Sequence, residues 1–169
     1  VLTGAELTDV RVVLVAGRAH LKHTEGGDFR EATYRAIRQG LMNAKSVLLE
    51  PYYRFEILVP SENAGRVMSD IPALAGEFED SETLGSDVRI RGRGPVATFA
   101  DYSLSLRAFT HGEGSAIFLM DGYDVCHDAE TVIERTGYDP NADLEQPTSS
   151  VFCSHGAGFT VPWNEAESY

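Results

Sequence analysis

The chain has 169 residues, 43% of them apolar, and a formal net charge of −12. That is long enough for one ordinary domain or two small ones and apolar enough for a buried core, which excludes a disordered tail. No run approaches the roughly 20 continuous apolar residues of a membrane helix and no signal-peptide pattern opens the chain, so a soluble, cytoplasmic protein with no membrane partner is expected.

The charge is unevenly spread. Residues 1–50 hold seven Lys or Arg against six Asp or Glu, residues 51–123 six against eleven, and residues 124–169 one against nine. Most of the acidity lies in the last quarter, so the first fifty residues stay free to approach phosphate. The two cysteines, Cys126 and Cys153, are too few for a disulfide scaffold and fit a reducing compartment.

The nearly continuous apolar run Val10 to Val15 predicts a buried strand ended at Gly17. A loop with two histidines, a lysine and Gly26-Gly27 follows. Asp28 then reads as an N-cap with Glu31 at capping-box spacing. Phe29, Ala32, Ala36, Ile37, Gly40 and Leu41 recur at helical spacing to about Asn43. Ser46 to Leu49 is a short apolar run stopped by Glu50-Pro51, the expected domain boundary. Tyr53, Phe55, Ile57 and Val59 alternate with Arg54 and Glu56 as a half-buried strand. Pro60-Ser61 opens a helix that stops at Pro72. Glu77 to Asp80 and Asp87 to Arg91 predict two short strands across a turn at Gly85. Pro95 begins a second helix through Phe99 and Leu106 to about His111, and Ser115 to Met120 closes with a strand. The order from 51 to 123 is β-α-β-β-α-β, the ferredoxin-like arrangement. From Asp124 the chain offers one short helix, Ala129 to Arg135, and then Gly, Pro and Ser punctuation.

Three stretches carry a family resemblance. VLTGAELTDVRVVLVAGRAH, with the spacing from Gly17 through the loop to Phe29, resembles the latter half of domain IV of elongation factor G. LLEPYYRFEILVPSENAGRVMSDI resembles the crossing from domain IV into domain V, with Leu48-Leu49-Glu50-Pro51 its most specific part. RGRGPVATFADYSLSLRAFTHGEGSAIF resembles the second helix and last strand of domain V. The resemblance is collinear over about residues 1 to 123. The tail after Tyr123, and a loop without the family's usual Tyr-His-Asp wording, look closer to the tetracycline-resistance ribosomal protection proteins.

The implied fold is α+β. A partial domain IV over residues 1–50, like a βαβ half of ribosomal protein S5 domain 2, is followed by a ferredoxin-like domain V over 51–123. Residues 124–169 form an acidic C-terminal extension. The parent is implied to be a GTPase that holds GTP and magnesium in a G domain. This chain has no G-x-x-x-x-G-K-[ST] phosphate loop, so it is expected to be no enzyme and to carry no cofactor. The implied partner is the ribosome, through RNA of both subunits, in translocation or in antibiotic release. A domain IV that opens at its midpoint also implies self-association through the truncated half.

The candidate chemistry follows. His20-x-x-His23 with Glu25 offers too few ligands for a metal, and Glu25 and Asp28 would repel a phosphate from the helix start. The resemblance places Ala19, His20, Leu21, Lys22, His23 and Thr24 at the domain IV tip that enters the decoding region. Imidazole can stack on a splayed base, Lys22 can meet phosphate and Leu21 can pack on a base or ribose. Arg89, Arg91 and Arg93 alternate along one strand and share a face, which the resemblance assigns to large-subunit RNA. Cys126-His127 and Cys153-x-His155 lack zinc-ligand spacing, and no metal is expected. SSVFCSHGAGF lacks the lysine of a phosphate loop and reads as a small-residue segment folding back, with Phe152, Phe159 and Trp163 as anchors. The element order from 51 to 123 taken alone also fits a stand-alone ferredoxin-like module that binds a ligand or a protein. Calorimetric titration of the 169-residue chain with GTP is expected to show no binding; micromolar affinity would mean that a nucleotide site has been overlooked.

Overall fold

The computed structural model of the chain describes residues 1–21 and 24–169. They form two compact units, Val47–Ala129 on the one hand and Val1–Ser46 with Glu130–Tyr169 on the other.

In the second of these, helix α1 spans Asp28–Asn43. Its N-cap is Gly27 rather than the predicted Asp28, and no side chain caps it. Asp28 instead reaches backwards, where its Oδ2 accepts the N–H of Glu25 at 2.8 Å. The carboxylate still sits at the positive end of the helix dipole, which is what favours an acid there. The strand predicted at Val10–Val15 does not form. Val12 is 60% exposed and Val15 89%, and neither sheet of the structure includes this run. β-Branched residues suit a strand only where a neighbouring ladder and a covering face exist, and here the run has neither among the described residues. The apolar face read on α1 is also largely open, and the buried residue of the helix is Arg38.

The 47–129 unit contains β1 (Leu49–Pro60), α2 (Ser61–Ala73), β2 (Glu77–Leu84), β3 (Asp87–Pro95), α3 (Val96–Phe99), α4 (Tyr102–Phe109) and β4 (Ser115–Val125). The strands make one antiparallel sheet in the order β2-β3-β1-β4, the ferredoxin-like order that the sequence predicts. Phe55, Ile57 and Val59 of β1 alternate into the core, where they meet Ile90, Val67 and Ile71 of α2, and Leu106 of α4. The predicted second helix is two. The backbone breaks at Ala100-Asp101, the carbonyl of Asp101 accepts the N–H of Leu104 at 3.1 Å, and the rings of Phe99 and Tyr102 meet across the break at 5.7 Å.

The aromatic centre of this core lies directly on backbone. Phe55 and Phe99 stack with centroids 5.0 Å apart. A Cβ at Gly94 would stand 2.3 Å from the Phe99 ring, one at Gly76 2.7 Å from it, and one at Gly92 2.7 Å from the Phe55 ring. No other residue leaves that space. In RGRGP the glycines therefore face the aromatic rings, while period two sends Arg89, Arg91 and Arg93 to the other side of the sheet.

The extension is more ordered than its composition suggests. After α5 (Ala129–Thr136) comes a hairpin of β5 (Ser150–Ser154) and β6 (Ala157–Val161). Its two-residue turn, His155-Gly156, has φ of 53° and 84°, the positive pair of a type I′ connection. Phe152 and Phe159 stack at 6.3 Å as cross-strand partners, and Tyr169 completes the cluster at 5.5 and 5.7 Å. Arg38 ties this segment to α1. Its guanidinium donates to the Gln146 carbonyl at 3.1 Å and to the Tyr138 hydroxyl at 2.7 Å, and that hydroxyl donates to Asp143 at 2.7 Å. Arg38 is 8% exposed, so each of these bonds replaces water that the charge has lost.

Two glycine substitutions should separate close approach from open space. Gly94→Ala forces the Phe99 ring to shift and is expected to cost about 1–3 kcal/mol. Gly65→Ala, inside α2 with nothing within 4 Å of the new Cβ, should instead stabilise by about 0.4–1 kcal/mol. Urea unfolding followed by circular dichroism measures both, and equal effects would contradict this packing.

Candidate functional site

Three groups of chemistry-bearing residues emerge. The first is the loop before α1. Ala19 and His20 are exposed, and Leu21 is wholly so at 102%. The loop is closed from within: Thr24 Oγ1 accepts the N–H of His20 at 2.7 Å, and the Thr24 N–H donates to the His20 carbonyl at 3.0 Å. Arg18, Ala19, His20 and Leu21 line an open hollow of about 630 Å³. Lys22 and His23, the expected phosphate and stacking residues of the loop, lie outside the described residues. Thr24 therefore has a clear structural task, closing the loop, which its type alone did not indicate.

The second group covers the sheet face away from the helices. Arg89, Arg91 and Arg93 share it as their spacing predicts, and Arg54 of β1 joins them. None stands free of acid. Arg89 meets Glu82 at 3.0 Å and Glu56 at 3.3 Å; Arg91 meets Glu56 at 3.1 Å and Asp80 at 3.4 Å. Arg93 meets Asp124 at 2.6 Å and Asp121 at 3.2 Å, and its guanidinium lies 4.6 Å above the Tyr52 ring. Arg54 shares Asp121 at 3.2 Å and reaches Glu79 at 3.4 Å. With Glu77 included, seven carboxylates surround these four guanidiniums, so the face is net negative. Hydrogen bonding from Arg54 holds the Asp121 carboxyl below its ordinary range, and Arg93 does the same for Asp124. Beside the ladder, Arg54, Glu56, Glu79, Arg91, Ile117 and Leu119 line a shallow depression of about 320 Å³.

The third group was not visible in residue spacing. Glu50, at the start of β1, is 8% exposed and accepts two hydrogen bonds from His127, one from the backbone N–H at 2.7 Å and one at Nδ1 at 2.6 Å. The ligand atoms of Glu50, Cys126 and His127 all lie within 4.8 Å of one another. Burial, with Glu50 alongside, pushes the Cys126 thiol up. Sequence reasoning compared Cys126-His127 with Cys153-x-His155 and overlooked Glu50, which lies 77 residues from His127 and meets it only because β1 and β4 pair.

Known proteins match most of the chain. Residues 1–45 match the family described as elongation factor G, domain IV, and residues 47–132 the family described as elongation factor G C-terminus. The Tetracycline resistance protein TetP of Clostridium perfringens is 29% identical over 140 residues, which are 82% of this chain and 22% of that protein. The Elongation factor G-like protein of Thermotoga maritima is 35% identical over 126 residues, 74% of this chain and 18% of that one. A crystal structure from Thermus thermophilus aligns with a TM-score of 0.50 and 29% identity, covering 54% of this chain and 14% of that one. A ferredoxin-like unit preceded by a segment matching domain IV defines the class as the domain IV and C-terminal parts of an elongation factor G-type chain. The chain belongs to the elongation factor G family and represents its domain IV and C-terminal regions. It spans about a fifth of the length of these two curated relatives.

The sheet-face ion pairs generate a pH dependence with a definite sign. Asp121 and Asp124 have folded-state pKa values below their ordinary ones. Their contribution is therefore fully present above the ordinary carboxylate range and disappears as pH falls through the lowered folded values. The urea midpoint of the chain should fall between about pH 5 and about pH 2, and Asp121→Asn should make that fall shallower. An unchanged acid profile in Asp121→Asn would show that the ladder adds nothing to stability.

Proposed function

We propose that this chain is the ribosome-contacting part of a translational GTPase of the elongation factor G or ribosomal protection type, with the loop from Ala19 to Thr24 touching small-subunit RNA in the decoding region. The observation that carries the reading is Leu21, wholly exposed in a loop closed by the His20–Thr24 bonds. An exposed apolar side chain next to His20 offers a surface on which a flat, partly apolar group can pack. An unstacked base or a ribose is such a group; His20 can stack on a base, and by residue type Lys22 suits phosphate and His23 suits stacking. Family membership supports the location.

The mechanism is steric and conformational, and nothing in it requires a bond to be made by this chain. The loop acts as a probe and the 47–129 unit as a dock. GTP and magnesium belong to the G domain of the whole protein. In a translocase the probe accompanies tRNA movement; in a protection protein it dislodges the antibiotic. The similarity to TetP and to an Elongation factor G-like protein supports both forms. Large-subunit RNA at Arg89, Arg91 and Arg93 is a weaker part of the reading, because a phosphate there must displace carboxylates already 2.6–3.4 Å away. For the chain in isolation, the open run from Val10 to Val15 makes self-association the expected behaviour.

The test is Leu21→Ala with Lys22→Ala. Melting of the chain should barely change, since surface substitutions away from caps usually stay within about 0.5 kcal/mol. In the whole protein the same pair should slow translocation, or antibiotic release, on the order of tenfold, equivalent to about 1.4 kcal/mol, while ribosome-stimulated GTP hydrolysis persists. Full ribosomal activity in the double variant would refute the contact. A large loss of stability would show that the loop serves the fold.

A further inference from the structure

The geometry points to a transition-metal site at Glu50, Cys126 and His127 that takes a zinc-class divalent cation through thiolate, imidazole and carboxylate, with a fourth position open. Its donors lie within 4.8 Å of one another, with Glu50 Oε1 and His127 Nδ1 2.6 Å apart, whereas tetrahedral bonds of about 2.0–2.3 Å place such donors roughly 3.3–3.5 Å apart, so side-chain shifts on the order of 1 Å close the site.

Several features support a site over an accidental cluster. The scaffold is rigid. Glu50 and Cys126 are buried at 8% and 7% exposure, and the Cys126 N–H donates to the Leu48 carbonyl at 2.9 Å, extending the β1–β4 ladder past its last strand residue. His127 is the solvent-reaching member, with 28% of its side chain exposed, so a cation has a way in. Asp128 follows the ligands directly in sequence and adds negative charge beside them.

The exchange on binding balances simply. Cys126 gives up its thiol proton to water and a sulfur–metal bond forms. The Glu50–His127 hydrogen bond opens, Nδ1 gives up its proton to water and Nε2 takes one from water, so that the imidazole ligates as the neutral ring, and the Glu50 carboxylate oxygen takes the third position. The cation then joins the start of β1 to the exit of β4, next to the Cys126–Leu48 backbone hydrogen bond.

Cobalt(II) and zinc(II) titrations of the full 169-residue chain test this. Expected are one equivalent of cobalt bound, a thiolate-to-cobalt charge-transfer band, displacement of that cobalt by zinc, and a higher melting temperature with metal. Cys126→Ser should abolish the band, and His127→Ala should weaken binding by at least about tenfold. Cys153→Ser should change neither. The proposal is overturned if stoichiometric cobalt gives no charge-transfer band, or if the band survives Cys126→Ser and disappears in Cys153→Ser. Should Cys126→Ser fail to fold, His127→Ala decides: binding unchanged in that variant rejects the site, because the partly exposed imidazole carries no part of the core.

Discussion

The close approach of the Phe55 and Phe99 rings to the backbone of β3 is the constraint from which the rest of the 47–129 unit follows. Two stacked rings fill the space between sheet and helices, and Gly92 and Gly94 are where the strand lets them in. Once alternate residues of β3 are committed to that contact, the residues between them must point the other way. Arg89, Arg91 and Arg93 thus owe their common face to glycines they never touch. The same constraint explains the broken second helix, since Phe99 and Tyr102 both deliver a ring to this centre from either side of Ala100-Asp101.

The opposite face of the sheet answers a different requirement. Four arginines and seven carboxylates share it, so most of the unit's positive charge is already answered at short range. Exposed pairs of this sort add little stability each, but together they fix which charges a partner meets. A polyanion approaching this face meets net negative charge. The loop before α1 makes the contrast: its closing bonds run through backbone and Thr24, which leaves Leu21 outside any contact with the fold.

Arg38 plays for the first unit the part that the glycines play for the second. A buried guanidinium must find acceptors, and the extension supplies them from Tyr138, Asp143 and Gln146. Composition alone presents residues 124–169 as an acidic, solvated tail. One of those acids, Asp143, is held in its ionised form by the Tyr138 hydroxyl and by backbone N–H groups of Gln146 and Glu145, with Arg38 close by. Part of the tail's acidity is therefore structural.

By itself the sequence determined the order and kind of the elements in the 47–129 unit, because period-two alternation in Tyr53–Val59 and helical spacing in Ala64–Ile71 are local signals that the core then confirms. It also showed the shared face of the arginines and, through motif wording, the family. Tertiary structure decided what depends on partners distant in the chain. Val10–Val15 has the composition of a strand and no ladder to join. Ser150–Val161 forms a hairpin because His155-Gly156 accepts two positive φ angles and Phe152 finds Phe159 across it. Glu50 meets His127 only when β1 and β4 align. Local periodicity reports which way a side chain faces, whereas pairing free energy is set by what lies opposite, and that is written in no single stretch of the chain.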